Sequence, residues 1–521
     1  MGTLRTRILE WIDRLQAGIL VAMLVGSALA FGGVVWWWRP VLAALAGLLV
    51  VSGLARVAVE GKARIRLSLL PILGALALGL AVAQLVPMPG SLAGRISPES
   101  RSLHARGVLT GRLLQDDPRA EPPEPAASRT PTTVDRSATL RWLFDASIGL
   151  VVLITSARFA RRIGRTMVIW GSVVAVFGLL TGAGLVQLIG GRTGLWGVIT
   201  PGEGPFWAPS TLDLLKAPGV SLLRPLAEES GAIGPWMLPR PDRPSFIGGL
   251  LGGPGAYLAV AALGLPLTLA VLLQLLAPRG SREPLADRVG RSGTGPLVAL
   301  LAIVVVLGAG LVGAIAGPIL AVPFAIGLAI AGLPGAWPTG LRWLAVGLTL
   351  LALSGLGAGV AGNRLAGWGS DPKLSPITAD LDRAEQLWRE SARIARDFPL
   401  LGTGLGTFGR IHPSYKLTDE SPNTAGSSVL QWIVEAGLAG ATLLALAGIW
   451  GLARIVRAWR RVGSADRALA WGALATALCF LGFAAVHWTV ELPAVALAAC
   501  AVFGTMDRWL SGGTDLFVEA A

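Results

Sequence analysis

The sequence predicts an all-α, polytopic integral membrane protein, and three observations lead there. Of its 521 residues, 53% are hydrophobic and only 14% charged, with a mean hydropathy of +0.64, far from the roughly quarter-charged balance of soluble domains. Apolar runs long enough to cross ~30 Å of hydrocarbon recur from end to end, and helix is the only open element that satisfies its own backbone in lipid. The basic residues behind a formal net charge of +13 cluster in the connections between those runs. In a soluble protein that charge would suggest nucleic acid. Between spans it orients the chain in the membrane, and no nucleic-acid partner is expected.

The first block, 1–86, opens with MGTLRTRILEWIDRLQ, a basic amphipathic lead-in to a span at Ala17–Val35 that closes on Trp36, Trp37, Trp38 and Arg39 as an interfacial belt. No cleavable signal is expected, because this run leads directly into further spans. Spans at Val41–Val59 and Leu67–Val86 are joined through Arg56, Lys62, Arg64 and Arg66, which puts that connection and the N-terminus in the cytoplasm. Residues 87–139 (including DDPRAEPPEPAASRTPTTVD) are too poor in apolar side chains for a core and read as a largely irregular external loop. A helix pair in 140–189, with spans Leu140–Thr155 and Met167–Leu188, turns on cytoplasmic Arg158, Arg161, Arg162 and Arg165. A second external loop, 190–245, mixes Arg192, Arg224, Arg240, Arg243, Glu203, Glu228 and Glu229 with Trp196, Trp207 and Trp236.

The middle block, 246–362, holds spans at Gly255–Leu276, Leu297–Ala314, Leu320–Ala331 and Leu344–Val360, with Arg279, Arg282, Arg288 and Arg291 inside. After a third external loop, 363–428, the last block, 429–521, carries spans at Leu430–Leu452, Leu469–Ala485 and Ala494–Phe503, with Arg454, Arg457, Arg460, Arg461 and Arg467 inside. The expected total is about twelve spans with both termini cytoplasmic and three long mixed-charge loops outside. Cys479 and Cys500 both fall in apolar segments, where packing rather than a disulfide framework is expected.

The third loop is where charge, a helix, glycines and aromatic residues coincide. Thr378 can cap a helix ended by Pro399, in which Leu381, Ala384, Leu387, Trp388, Ile394 and Ala395 share one side. Such a helix would lie flat on the outer membrane surface with Arg383, Arg389, Arg393 and Arg396 available to phosphates. Arg396 stands directly before DFPLLGTGLGTFG, where Gly402, Gly404, Gly406 and Gly409 allow backbone N–H groups to gather around an anion. With His412, Tyr415 and Lys416 following, the stretch reads as a phosphate or diphosphate site. Glu435 sits inside an apolar helix, and so does Asp145. For each, a functional carboxylate paired with an arginine and an interfacial position a turn or two from the surface remain open.

The run RDFPLLGTGLGTF, then HPSYK, then SSVLQWIVEAGLAG at the start of a span, resembles the O-antigen ligase and O-antigen polymerase superfamily of bacterial membrane glycosyltransferases. The motifs cover about Arg396–Gly440, and the likeness extends over roughly 300–450. The resemblance implies transfer of glycan from an undecaprenyl-diphosphate carrier to a lipid or glycan acceptor at the outer face of the cytoplasmic membrane, with no metal and no nucleotide sugar as cofactor. It also implies that arginines hold the diphosphate and that a loop histidine acts on the acceptor hydroxyl. Ser427, Gly437 and Gly440 match the family's motif, but its histidine position holds Gly426.

Two expectations follow. In one, Arg396 binds diphosphate with help from Arg192, Arg243 or Lys416, His412 serves as a displaced base, and Tyr415, Ser427 and Glu435 contact substrate. In the other, the chain is a non-catalytic binder, transporter or scaffold for lipid-linked glycan. His104, in the first loop, and His487, beside Trp488 and Glu491, are the remaining histidines.

Overall fold

The computed structural model describes residues 2–30, 38–61, 64–104, 129–160, 163–190, 254–276, 295–312, 376–417, 424–461, 467–487, 492–511 and 516–519. Most of these residues are helical. The long helices are Gly2–Leu29 (α1), Trp38–Glu60 (α2), Leu69–Leu85 (α3), Arg136–Phe159 (α4), Ile163–Gly190 (α5), Pro254–Leu276 (α6), Gly295–Val312 (α7), Pro376–Asp397 (α8), Ser428–Arg461 (α9), Arg467–Val486 (α10) and Pro493–Ser511 (α11). Four short strands, Arg64–Leu67 (β1), Met88–Pro89 (β2), Arg129–Thr130 (β3) and Leu516–Glu519 (β4), form two antiparallel pairs, β1 with β4 and β2 with β3.

Six helices among the described residues are long and apolar enough to cross a membrane: Leu4–Leu29, Trp38–Glu60, Arg136–Phe159, Arg165–Val186, Gly295–Val312 and Ser428–Gly451. Shorter apolar helices cover Leu69–Leu85, Tyr257–Leu272 and Leu469–Ala485. The expected spans Leu320–Ala331 and Leu344–Val360 lie outside the described residues, as do Arg192 and Arg243. The membrane-length helices are apolar inward and outward alike. Leu20, Met23, Leu49, Trp170, Phe177, Tyr257 and Phe483 fill the interior, while Val51, Leu54, Leu300, Ile303 and Ile449 stay exposed. A helix that is hydrophobic all round suits a lipid solvent.

The basic lead-in is continuous with α1, which runs unbroken from Gly2. The first loop also departs from the irregular expectation, because both its ends are folded. Residues 90–96 and 98–104 are helical, β2 pairs with β3, and Ser100 Oγ donates to the Thr132 carbonyl (2.8 Å). Backbone and polar side-chain hydrogen bonds accomplish here what apolar content does not.

Contacts sort the bundle into two ends. At one end α1, α2 and α5 meet: Asp13 takes Arg56 on one carboxylate oxygen and Arg165 on the other (2.6 Å), and Arg56 also pairs with Glu60 (2.7 Å). Arg5 donates to the Val59 carbonyl (3.0 Å), and β4 joins the β1 connection there. The opposite end gathers the close of α3, the starts of α4 and α9, and the close of α10. Packing of α4 against α11 and of α6 against α10 joins the two halves of the chain.

Asp13 is 7% exposed with two guanidinium groups on it. Asp13→Ala should lower stability by about 3 kcal/mol, because removing one member of a buried ion pair leaves its partners uncompensated. The exposed Arg389–Glu385 pair provides the control, since Arg389→Ala should change stability by less than about 1 kcal/mol. Unfolding midpoints in detergent distinguish the two.

Candidate functional site

The site is built on a break in α9. Gly437 has φ 61° and ψ −157°, so the helix loses the i→i−4 bonds that Leu438 and Ala439 would make to Val434 and Glu435. The glycine-rich loop takes over all four released groups. Leu438 N donates to the Pro399 carbonyl (2.8 Å) and Ala439 N to Leu400 (3.2 Å), while Thr403 N donates to Val434 (3.1 Å) and Gly404 N to Glu435 (3.0 Å). Glycine is required because the chains nearly touch. A Cβ on Gly402, itself at φ +71°, would lie 2.3 Å from the Glu435 carbonyl carbon, and one on Gly437 would lie 2.5 Å from Gly402 N.

The acceptor at the loop's amides is the protein's own Glu435 carboxyl group. Glu435 Oε2 accepts from Gly406 N (2.7 Å), and Oε1 accepts from Phe408 N (2.9 Å) and Gln431 Nε2 (3.2 Å). Its partners are therefore amides, and not the arginine considered from sequence. From the end of α3, Gln84 Nε2 donates to the carbonyls of Leu401 (2.6 Å) and Glu435 (2.9 Å), and its Oε1 accepts from Leu405 N (3.1 Å).

The first loop closes over the same knot. Thr133 N donates to the Gln84 carbonyl (3.1 Å), Val134 N to Thr403 (2.8 Å), and His104 Nε2 bonds the Thr133 carbonyl (2.9 Å). Asp135 caps α4 through Ser137 N (2.8 Å) and pairs with Arg410 (3.2 Å). Burial pushes the Asp135 carboxyl up, but hydrogen bonds from Ser137 and Ala138 and the Arg410 charge outweigh it and hold the pKa below its ordinary value.

His412 lies fully buried in a short helical turn after Phe408–Ile411, its ring stacked on Phe408 at 5.2 Å. Its Nε2 is 2.8 Å from Glu390 Oε2, while Glu390 Oε1 accepts from Leu417 N (2.8 Å). An ionised carboxylate only accepts hydrogen bonds, so Nε2 carries hydrogen in this pair. Nδ1 is buried without a hydrogen-bond partner among the described residues.

Glu390 comes from the inner face of α8, between Leu387 and Ile394. That face packs with Phe398, Phe408, Ile411, Ala425 and Val434, so the helix leans on protein; of the expected apolar side, Leu387, Ile394 and Ala395 are at least partly buried and Trp388 is exposed. Arg393 and Arg396 are exposed on its outer face. Lys416 is exposed too, and Tyr415 Oη donates to Asp397 (2.6 Å).

Ser427 Oγ donates to the Ala485 carbonyl (2.7 Å) and accepts from Leu430 N (3.2 Å), which caps α9 and ties it to α10. Gly426, where the superfamily it resembles carries histidine, has φ +72°, a conformation that strains any side chain. His487 stacks on Phe483 at 5.0 Å and receives Ser428 N on its carbonyl (3.1 Å). The arrangement thus brings together an oriented imidazole, a buried carboxylate and a rim of exposed cations. No group of three or more His, Cys, Asp or Glu side chains suited to a metal ion occurs among the described residues.

Sequence reasoning missed Gln84 and Glu390. A lone amide in the apolar run LGLAVAQLV, and a carboxylate inside the stripe from Leu387 to Ile394, were the available signals.

Gly402→Ala should destabilise the protein by about 3 kcal/mol or more through strain and clash, whereas Gly448→Ala on the same α9, with nothing within 4 Å of the added Cβ, should be neutral or slightly stabilising. A melting series in detergent checks both. Burial also holds the His487 imidazole down at about 4, below its ordinary 6.5. The unfolded chain therefore binds the extra proton in that window, and stability should fall as pH drops from about 6.5 towards 4. In His487→Phe, which keeps the stack on Phe483, melting temperature should depend less on pH over the same range.

Compared with known proteins, the chain matches no family model and no curated protein.

Proposed function

We propose that this chain is an O-antigen ligase-like membrane glycosyltransferase. It would transfer or polymerise glycan from an undecaprenyl-diphosphate carrier onto a lipid or glycan acceptor at the outer face of the bacterial cytoplasmic membrane. About twelve spans with both termini cytoplasmic complete the proposed topology. The grouping of Asp13, Arg56 and Arg165 with the N-terminal helix at one end of the bundle, and of the loop segments at the other, supports that sidedness.

The observation that carries the proposal is the His412–Glu390 pair at 2.8 Å, set within the segment whose motifs resemble the superfamily. The exposed Arg396 follows Glu390 on the same helix by roughly 9 Å along its axis. Arginine's planar fork suits a diphosphate, and an imidazole suits the acceptor hydroxyl. No metal and no nucleotide sugar is needed for this division of labour. Arg192 and Arg243 remain proposed helpers from the second loop.

A second function, a non-catalytic binder or scaffold for lipid-linked glycan, is favoured by one observation. The position where the family carries its histidine is a left-handed glycine, Gly426, with Leu387 only 3.0 Å from an added Cβ.

Purified protein in lipid, offered a panel of undecaprenyl-diphosphate glycans and acceptors, separates the two. In an enzyme, His412→Ala should reduce turnover by about 10²-fold or more, and Arg396→Ala should weaken donor use with the fold retained. Full activity of Arg396→Ala would remove that residue from the diphosphate site. No transfer from any donor, with carrier binding that depends on Arg396, would establish the non-catalytic function.

A further inference from the structure

His412 and Glu390 allow a more specific assignment, which rests on the glycosyltransferase function proposed above. Glu390 is 2% exposed and both its oxygens are occupied, Oε2 by His412 Nε2 and Oε1 by Leu417 N. It therefore fixes the ring from α8 and fixes the backbone that follows the ring. The ring cannot turn over without breaking the Nε2 bond, and Phe408 stacks on its face. Of the ring's two nitrogens only Nδ1 remains, buried and without a hydrogen-bond partner among the described residues. A buried polar atom in that state is an acceptor waiting for a donor, since leaving it unsatisfied is unfavourable.

We propose that Glu390 is a positioning residue that holds the His412 proton on Nε2 and leaves Nδ1 bare, and that Nδ1, enclosed in the present structure, receives the hydroxyl of the glycan acceptor when the packing around the ring admits it. In the transfer step the hydroxyl proton moves to Nδ1 as its oxygen bonds to the anomeric carbon of the donor sugar. The bond from that carbon to the diphosphate oxygen breaks, and the carrier diphosphate leaves with the electron pair. His412 is then an imidazolium with Nδ1–H and Nε2–H, the latter still directed at Glu390, which stays a carboxylate throughout.

Glu390→Gln is the informative variant because its amide oxygen can still accept from Leu417 N, while its NH₂ group offers a donor to His412 Nε2 and so favours the tautomer with hydrogen on Nδ1. Turnover should fall about 10²-fold or more with the donor KM unchanged, and the melting temperature should stay close to wild type. The tautomer is read directly from two-bond ¹H–¹⁵N correlations of histidine-labelled protein in lipid nanodiscs, with the His412 signals assigned by their loss in His412→Gln. Wild type should show neutral His412 protonated on Nε2, and Glu390→Gln should show it on Nδ1.

A wild-type ring protonated on Nδ1 overturns the proposal. So does Glu390→Gln turnover within about twofold of wild type while His412→Ala is inactive, which would leave the glycosyltransferase function standing. Absence of transfer by wild type from every donor rejects that function, and with it the proton transfer assigned to Nδ1. The tautomer measurement then still decides whether Glu390 sets the ring.

Discussion

The loop end of this protein depends on one opened turn of helix. Where Gly437 leaves the helical conformation, α9 releases two carbonyls and two amides within a span apolar enough to cross a membrane. Backbone groups released at such depth are tolerated only when protein or trapped water satisfies them. Residues 399–404 supply the four partners, and the same loop then turns two further amides onto the Glu435 carboxylate. The helix break and the glycine-rich loop are each unfavourable alone and are mutually satisfied together. Gln84 and Thr133 extend the exchange to α3 and to the first loop, so four distant parts of the chain are fixed by one set of hydrogen bonds.

That arrangement changes what a glycine-rich turn means here. Glycines that let amides converge are commonly taken as a cradle for phosphate, and the amides of Gly406 and Phe408 do converge on acceptor oxygens. Those oxygens are supplied by residue 435 of the same chain. Any diphosphate at this end of the bundle must therefore be met by side chains rather than by these two amides. Arg393 and Arg396 are exposed on the outer face of α8.

Much of the architecture was legible in sequence because lipid imposes coarse rules. Apolar length gave most of the described helices, and of the basic connections the two that follow α2 and precede α5 meet the N-terminal helix at one end, through Asp13, Arg56 and Arg165. The glycines were legible as points of close approach. Their partners were not, because nothing local pairs Gly404 with Glu435 or Leu405 with a glutamine 321 residues away. The folded ends of the first loop were missed for a similar reason: Ser100, His104 and Thr133 are held by hydrogen bonds across the fold, and composition registers only the shortage of apolar side chains. Glu390 was hidden in plain view, one carboxylate in an apolar stripe, where its spacing from Leu387 and Ile394 already placed it on the buried face.

Residue 426 is poorly placed to carry a functional side chain. The segment reaches α9 through a left-handed residue packed against Leu387, and Ser427 next to it is committed to capping the helix and holding α10. A histidine at 426 would bear backbone strain and press on the Leu387 side chain of α8. His412 has neither problem: its backbone is helical, its ring stacks on Phe408, and its Nε2 is anchored to Glu390. In a glycan-transferring protein this would shift the acid–base function from the entry of α9 to a turn braced by α8. One amphipathic helix would then carry the orienting carboxylate on its inner face and the phosphate-binding arginines on its outer face, so that positioning the base and holding the donor become properties of a single rigid element.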